Sequence, residues 1–144
     1  MRTTVDLDYA TAITLGASGL VFLLALILGV WKYEQMRTSP DHLAHPYVDI
    51  AHRSALLYAF ATALVAVFVY LSAWPTWLNL AAAMVMVVFF VGAIGSYILH
   101  GMLRDTTNQF AREDPVLRVS MIALMVGEIG GFLVLFAGFL AGRF

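Results

Sequence analysis

The residues with the most chemical reach in this chain are its four histidines and one acid set deep in an apolar run. His42, His45 and His52 lie close together in sequence, and His100 stands well downstream. Imidazole binds iron, copper and zinc. At the end of a helix, half in apolar surroundings, it suits the axial ligation of a flat apolar cofactor such as haem. Histidines at a membrane interface also often do no more than hydrogen-bond lipid headgroups or helix ends, so both readings stay open here. His42 and His45, three apart in a proline-bounded stretch, read as solvated loop residues. Tyr97 precedes His100 by about one helical turn. Glu128 lies in MVGEIGGF. A carboxylate in hydrocarbon costs a few kcal/mol on insertion scales, so the group must be protonated, paired or facing a polar cavity. It either lines a pocket or proton path, or bonds a neighbouring helix as a neutral acid.

The elements that position these residues follow from composition. Of 144 residues, 62% are hydrophobic and only 12% charged, against about a quarter charged in ordinary soluble domains. There is no cysteine, which excludes disulfides, thiolate metal sites and cysteine nucleophiles. The net charge is -1 and no basic block exists, so no nucleic-acid partner is expected. No phosphate-binding glycine loop, HExxH or Ser-His-Asp pattern is present. The first residues carry one Arg and two Asp ahead of a long apolar run, which reads as a membrane span and not a signal peptide.

Four apolar runs of more than twenty residues predict membrane spans over about 9–31, 54–74, 77–100 and 119–142. About twenty helical residues cross the hydrocarbon of a bilayer, and a helix satisfies its own backbone hydrogen bonds in lipid. Barrel strands would be about half as long and would alternate in polarity. The predicted fold class is an all-α integral membrane protein, four transmembrane helices in one antiparallel bundle over residues 1–144. Trp74-Pro75-Thr76-Trp77 is a tight turn that makes spans 2 and 3 an antiparallel hairpin. Polar connections cover 32–53 and 101–118, the first being the longest water-facing piece.

Lys32, Arg37, Arg53, Arg104, Arg112 and Arg118 flank the first and third connections, against Arg2 and Arg143 on the other side. The positive-inside rule then places the two long connections in the cytoplasm. Hairpin geometry puts the starts of span 2 and the end of span 3 at one membrane face, so all four histidines gather there. Gly127 and Gly131, Gly138 and Gly142, and Gly92 and Ser96 show the small-residue spacing that lets helices approach closely, either within one protomer or in an oligomer. Tyr58, Phe60, Phe68, Tyr70, Phe89, Phe90, Met84 and Met86 could wall an apolar substrate pocket, or could simply pack and face lipid.

At these residues the chain resembles the styrene oxide isomerases, small four-helix membrane proteins of bacteria. DIAHRSALLYAF is similar to a family Ala-His-Ser run opening the second helix. Gly95-Ser96-Tyr97 resembles a Gly-x-Tyr in the third, and Asn108-Gln109-Phe110 resembles an Asn-Gln-Phe before the last. The layout is similar over nearly the whole chain, with low identity outside these patches. The resemblance implies haem b held between protomers of a homotrimer in the bacterial inner membrane, with His52 as axial ligand of the iron. It implies ferric iron acting as a Lewis acid on a small apolar epoxide, giving an aldehyde, with Tyr97 as the pocket tyrosine. The chain departs from the pattern at Tyr58 and Ala93, where the family has Asn, and at Phe89, where it has Asp, so the mapped cofactor-binding wall is more apolar. His100, one turn from Tyr97, would close the site if it reached the iron.

Three functions therefore compete: a haem-dependent epoxide isomerase, a haem-binding membrane electron carrier using His52 with or without His100, and a non-enzymatic membrane subunit or scaffold. Visible spectroscopy separates them.

Overall fold

The computed structural model describes residues 6–112 and 114–144, and among these it is all helical, with no strand. Helix α1 spans Tyr9–Thr38, α2 Pro46–Leu71, α3 Thr76–Leu103 and α4 Pro115–Arg143, with a short 3-10 turn at Gln109–Ala111. All four are long and apolar enough to cross a membrane. Arg2 and Glu113 lie outside the described residues, as does most of the N-terminal segment weighed as a leader.

The helices are longer at one end than hydropathy indicates. Helix α1 continues seven residues past Trp31, and α2 starts at Pro46, not near residue 54. The non-helical part of the first connection accordingly shrinks from 32–53 to 39–45, and the rest of that polar piece is helical. Hydropathy marks where hydrocarbon ends, whereas caps mark where the helix ends. His45 is the N-cap of α2, its Nδ1 accepting from Tyr47 N–H at 3.3 Å, with Pro46 at the first helical position. Proline fits there because that N–H has no intrahelical partner. Asp114 caps α4 in the same way through Val116 N–H, ahead of which sits Pro115. Asp8 caps α1, accepting from Ala10 N–H, Thr11 N–H and the Thr11 hydroxyl. Partial burial works to raise the Asp8 carboxyl, but the Thr11 and Ala10 hydrogen bonds outweigh it and hold the group below the usual carboxylate range.

Helices α1 and α2 pack most closely. Ala25, Ala51, Ala55 and Ala59 are buried between them with Val21, Leu28 and Ile94, and the Ser18 hydroxyl donates to the Ala59 carbonyl at 2.8 Å. In lipid no hydrophobic force draws helices together, so small residues and cross-helix hydrogen bonds carry such contacts. A second cluster of Ala10, Val65, Val69, Ala82, Ala83, Met86, Phe90 and Leu135 draws on all four helices. No Cα of α1 comes within 8 Å of one on α4; the α2–α3 hairpin lies between their backbones.

The α4 glycines resolve the two readings of their spacing. A side chain at Gly127 would strike the Phe89 ring, one at Gly131 would meet Met86 and the Ala82 carbonyl, and one at Gly138 would strike Ser72 and Trp74. These positions serve packing within the protomer. Gly92, on α3, meets nothing within 4 Å. The turn between α2 and α3 is tied to α4 by Ala73 N–H on the Gly138 carbonyl at 3.0 Å and Trp74 Nε1–H on the Val134 carbonyl at 2.8 Å.

Candidate functional site

The four histidines stand at one end of the bundle, where α1 and α3 finish and α2 and α4 begin. They are engaged differently. His52, in the second turn of α2, lies against α1: its Nδ1 is 2.9 Å from the Ala25 carbonyl oxygen. A carbonyl only accepts, so Nδ1 carries the proton and donates, leaving the Nε2 lone pair free. Two observations explain how a ring reaches a helix backbone. Ala25 is small and fully buried, and the residue one turn later is Gly29. A Cβ at Gly29 would stand 2.9 Å from Cε1 and 3.3 Å from Nδ1 of His52. Gly29 is the residue beside His52 that sequence reasoning missed. Its signal was a lone glycine within an apolar helical run, which marks a packing or functional need.

Around His52 the backbone end of the bundle is laced by charge. Asp49, one turn earlier on α2, pairs with Lys32 of α1 at 2.5 Å and with Arg53 at 3.0 Å. This pins the α2 start to α1 on the same flank as the imidazole.

His100 is held by other partners. Its Nδ1 donates to Asp105 at 2.9 Å, and its ring lies 5.1 Å from that of Tyr47. The His100 hydrogen bond holds the Asp105 carboxyl below the usual carboxylate range. Tyr47 also stacks on Tyr97 at 6.0 Å and on His45 at 6.2 Å, and its hydroxyl accepts from Gln109 N–H at 2.6 Å. This aromatic and imidazole cluster fastens the second polar connection, including the Asn108-Gln109-Phe110 motif, to α2 and α3. Burial and the neighbouring Arg104 push His45 below the usual imidazole range. His42 sits in the left-handed region with φ 57, its Nδ1 3.3 Å from the Met36 carbonyl. A cleft of about 710 Å³ opens beside His100, between the end of α3, the second connection and the start of α4, with Ser96, Asp105, Asn108 and Ser120 in its lining.

Tyr58 and Tyr97 are brought together: both pack on the cluster of Ala25, Ala55 and Ile94. Tyr58 stacks on Phe90 with ring centroids 4.4 Å apart. The Phe89 ring fills the notch at Gly127 on α4. Ala93 is buried. Glu128 follows Gly127, half-buried on α4. Its Oε1 is buried with no hydrogen-bond partner. His52 thus leans on α1 and Glu128 stands on α4, the two helices whose backbones stand apart.

Among the described residues no three His, Cys, Asp or Glu side chains gather to hold a metal ion. A porphyrin brings its own four nitrogens and asks the protein for one axial imidazole. His52 fits that demand, with one nitrogen fixed by a backbone carbonyl and the other free, as metal-ligating histidines usually are arranged.

Four apolar, membrane-length helices with histidines collected at one end have the build of a multi-pass helical membrane protein. No protein-family model, no curated protein and no solved structure matches the chain.

Proposed function

We propose that this chain is a haem b-dependent membrane isomerase of the kind its sequence resembles, opening a small apolar epoxide to an aldehyde. The observation that carries the reading is the His52 imidazole, fixed through Nδ1 on the Ala25 carbonyl with Nε2 free. The chemistry haem would supply when bound is Lewis acidity toward the epoxide oxygen, with ring opening and a hydride shift and no net redox change. The chain's own share is positional. Ala25 and Gly29 set the direction of the imidazole, and Asp49 with Lys32 holds the helix that carries it. Phe89, Phe90 and the Tyr58 ring supply an aromatic wall that keeps water from a developing cation. The Tyr97 hydroxyl would hydrogen-bond or orient the substrate.

A homotrimer in the bacterial inner membrane belongs to the same proposal. His52 leans on α1 and Glu128 stands on α4, and a ring of copies joined head to tail brings unlike flanks together. Lys32, Arg37, Arg53, Arg104, Arg112 and Arg118 at the histidine end support a cytoplasmic placement of that end.

A second reading, a haem-binding electron carrier, draws on His100. Its Nδ1 is likewise taken, by Asp105, so its Nε2 is free as a second axial donor. The visible spectrum of protein purified in detergent decides. A ferric Soret band without bis-histidine low-spin character, lost in His52→Ala, together with aldehyde formed from styrene oxide, supports the isomerase. A six-coordinate low-spin spectrum supports the carrier. A preparation that stays colourless with added hemin removes both haem readings.

A further inference from the structure

The cations at the histidine end are not all engaged. Among the described residues, neither Arg112 nor Arg118 joins an ion pair; those found take Lys32, Arg37, Arg53 and His100. Both arginines line one groove of about 650 Å³ along the first turns of α4. The rest of its lining is largely apolar. Leu117, Met121 and Met125 follow one another at four-residue spacing, which puts them on one face of the helix, with Ile122 beside them. The carboxylate in the lining, Asp114, is engaged as the cap of α4 by Val116 N–H at 2.9 Å. Charge and apolar surface are ordered by depth. Arg112 lies in the second connection and Arg118 in the first turn of α4, whereas Met125 is about 10 Å further along the helix axis than Arg118. Ile122 and Met125 are exposed, so the groove opens outward at the level of the bilayer.

We propose that this groove binds one anionic glycerophospholipid, its phosphate held by Arg112 and Arg118 and an acyl chain laid over Leu117, Met121 and Met125. A guanidinium presents forked N–H donors that match two phosphate oxygens at once. Methionine side chains adapt to a flexible hydrocarbon chain. A soluble phosphate would make no use of the apolar floor, and neutral hydrocarbon would make no use of two cations. A lipid of net negative charge meets both. Phosphatidylcholine would bring its own quaternary cation beside the arginines, so the groove favours phosphatidylglycerol and lipids of like charge. Nothing in this site depends on haem or on the isomerase reading.

Native mass spectrometry of the full-length protein tests it, after incubation in detergent with an equal mixture of phosphatidylglycerol and phosphatidylcholine of identical chains. An arginine beside an anionic lipid contributes about fivefold in affinity, so two predict one retained phosphatidylglycerol, preferred about thirtyfold over phosphatidylcholine. Arg112→Gln and Arg118→Gln should each lower that preference about fivefold, and the double variant should abolish it. Arg37→Gln, at the same end but paired with Glu34, should keep it. Ile122→Trp fills the groove from an exposed position and leaves both arginines in place, and should reduce the retained lipid to the level of the double variant. Glycerol 3-phosphate in large excess should not displace the lipid. Equal retention of the two lipids overturns the proposal, as does a preference that survives the double variant. Unchanged retention in Ile122→Trp reduces the effect to surface charge and overturns the groove. Displacement by glycerol 3-phosphate makes this a soluble-phosphate site, and a dimer or larger species that retains no lipid gives the groove to a second copy of the chain; either result overturns the lipid assignment.

Discussion

Replacing Gly29 with Ala tests the haem site without touching the ligand. The added methyl would lie 2.9 Å from His52 Cε1, about 0.5 Å inside ordinary van der Waals contact. The ring must retreat, and the 2.9 Å hydrogen bond to the Ala25 carbonyl lengthens or bends. A hydrogen bond of this type contributes about 1 kcal/mol net. Loss of an orienting partner typically weakens metal binding about 10- to 100-fold, which corresponds to about 1.4–2.7 kcal/mol. Alanine favours helix over glycine by about 1 kcal/mol, which offsets part of the overpacking cost, so the fold should survive while hemin affinity falls. Unfolding curves recorded beside the titration separate a repositioned ligand from an unfolded protein. Hemin titration in detergent, followed at the Soret band, should give a dissociation constant raised at least about tenfold for Gly29→Ala. Gly19→Ala, where a Cβ meets nothing within 4 Å, should titrate as the wild type does. Wild-type hemin affinity in Gly29→Ala would refute the claim that this glycine sets the imidazole.

Three further outcomes are expected. Gly127→Ala drives a methyl into the Phe89 ring and should destabilise the α3–α4 contact by about 1–3 kcal/mol, whereas Gly130→Ala, with open space at its Cβ, should not; detergent unfolding curves compare them. The Asp105 carboxyl is held below its usual range by His100, so its contribution is present at neutral pH and disappears as pH falls through the lowered value. The stability difference between wild type and Asp105→Asn should therefore be level near neutral pH, vanish in acid and shrink in high salt. Because the chain has no cysteine, single cysteines are clean reporters. Ala44→Cys should react with an impermeant maleimide only from the cytoplasmic side, and Thr76→Cys only from outside.

The number of helices, the tight turn at Pro75 and the collection of histidines at one end could be read from the sequence, because apolar runs and a proline speak directly to bilayer thickness and chain reversal. Helix ends could not be read from hydropathy. Residues 32–38 and 46–53 are polar yet helical, and the cue lay in capping chemistry, including a histidine in the unusual role of N-cap at His45. The small-residue spacing on α4 announced close approach but not the partner, since Gly127 and Gly138 would have looked alike in a protomer or an oligomer. Gly29 was the least visible. One glycine among leucines carries no periodicity, and only the proximity of His52 gives it meaning.

The asymmetric anchoring of α4 has a mechanical corollary. Its last turns are hooked to the 72–74 corner through the Val134 and Gly138 carbonyls, whereas residues 118–120 and most of its other early positions stand exposed, with Val116 at 75% and Val119 at 66%. Packing of this kind makes one end a pivot and leaves the opposite end the first to open. Any swing of the helix would part it from α3 on the histidine side while the corner held.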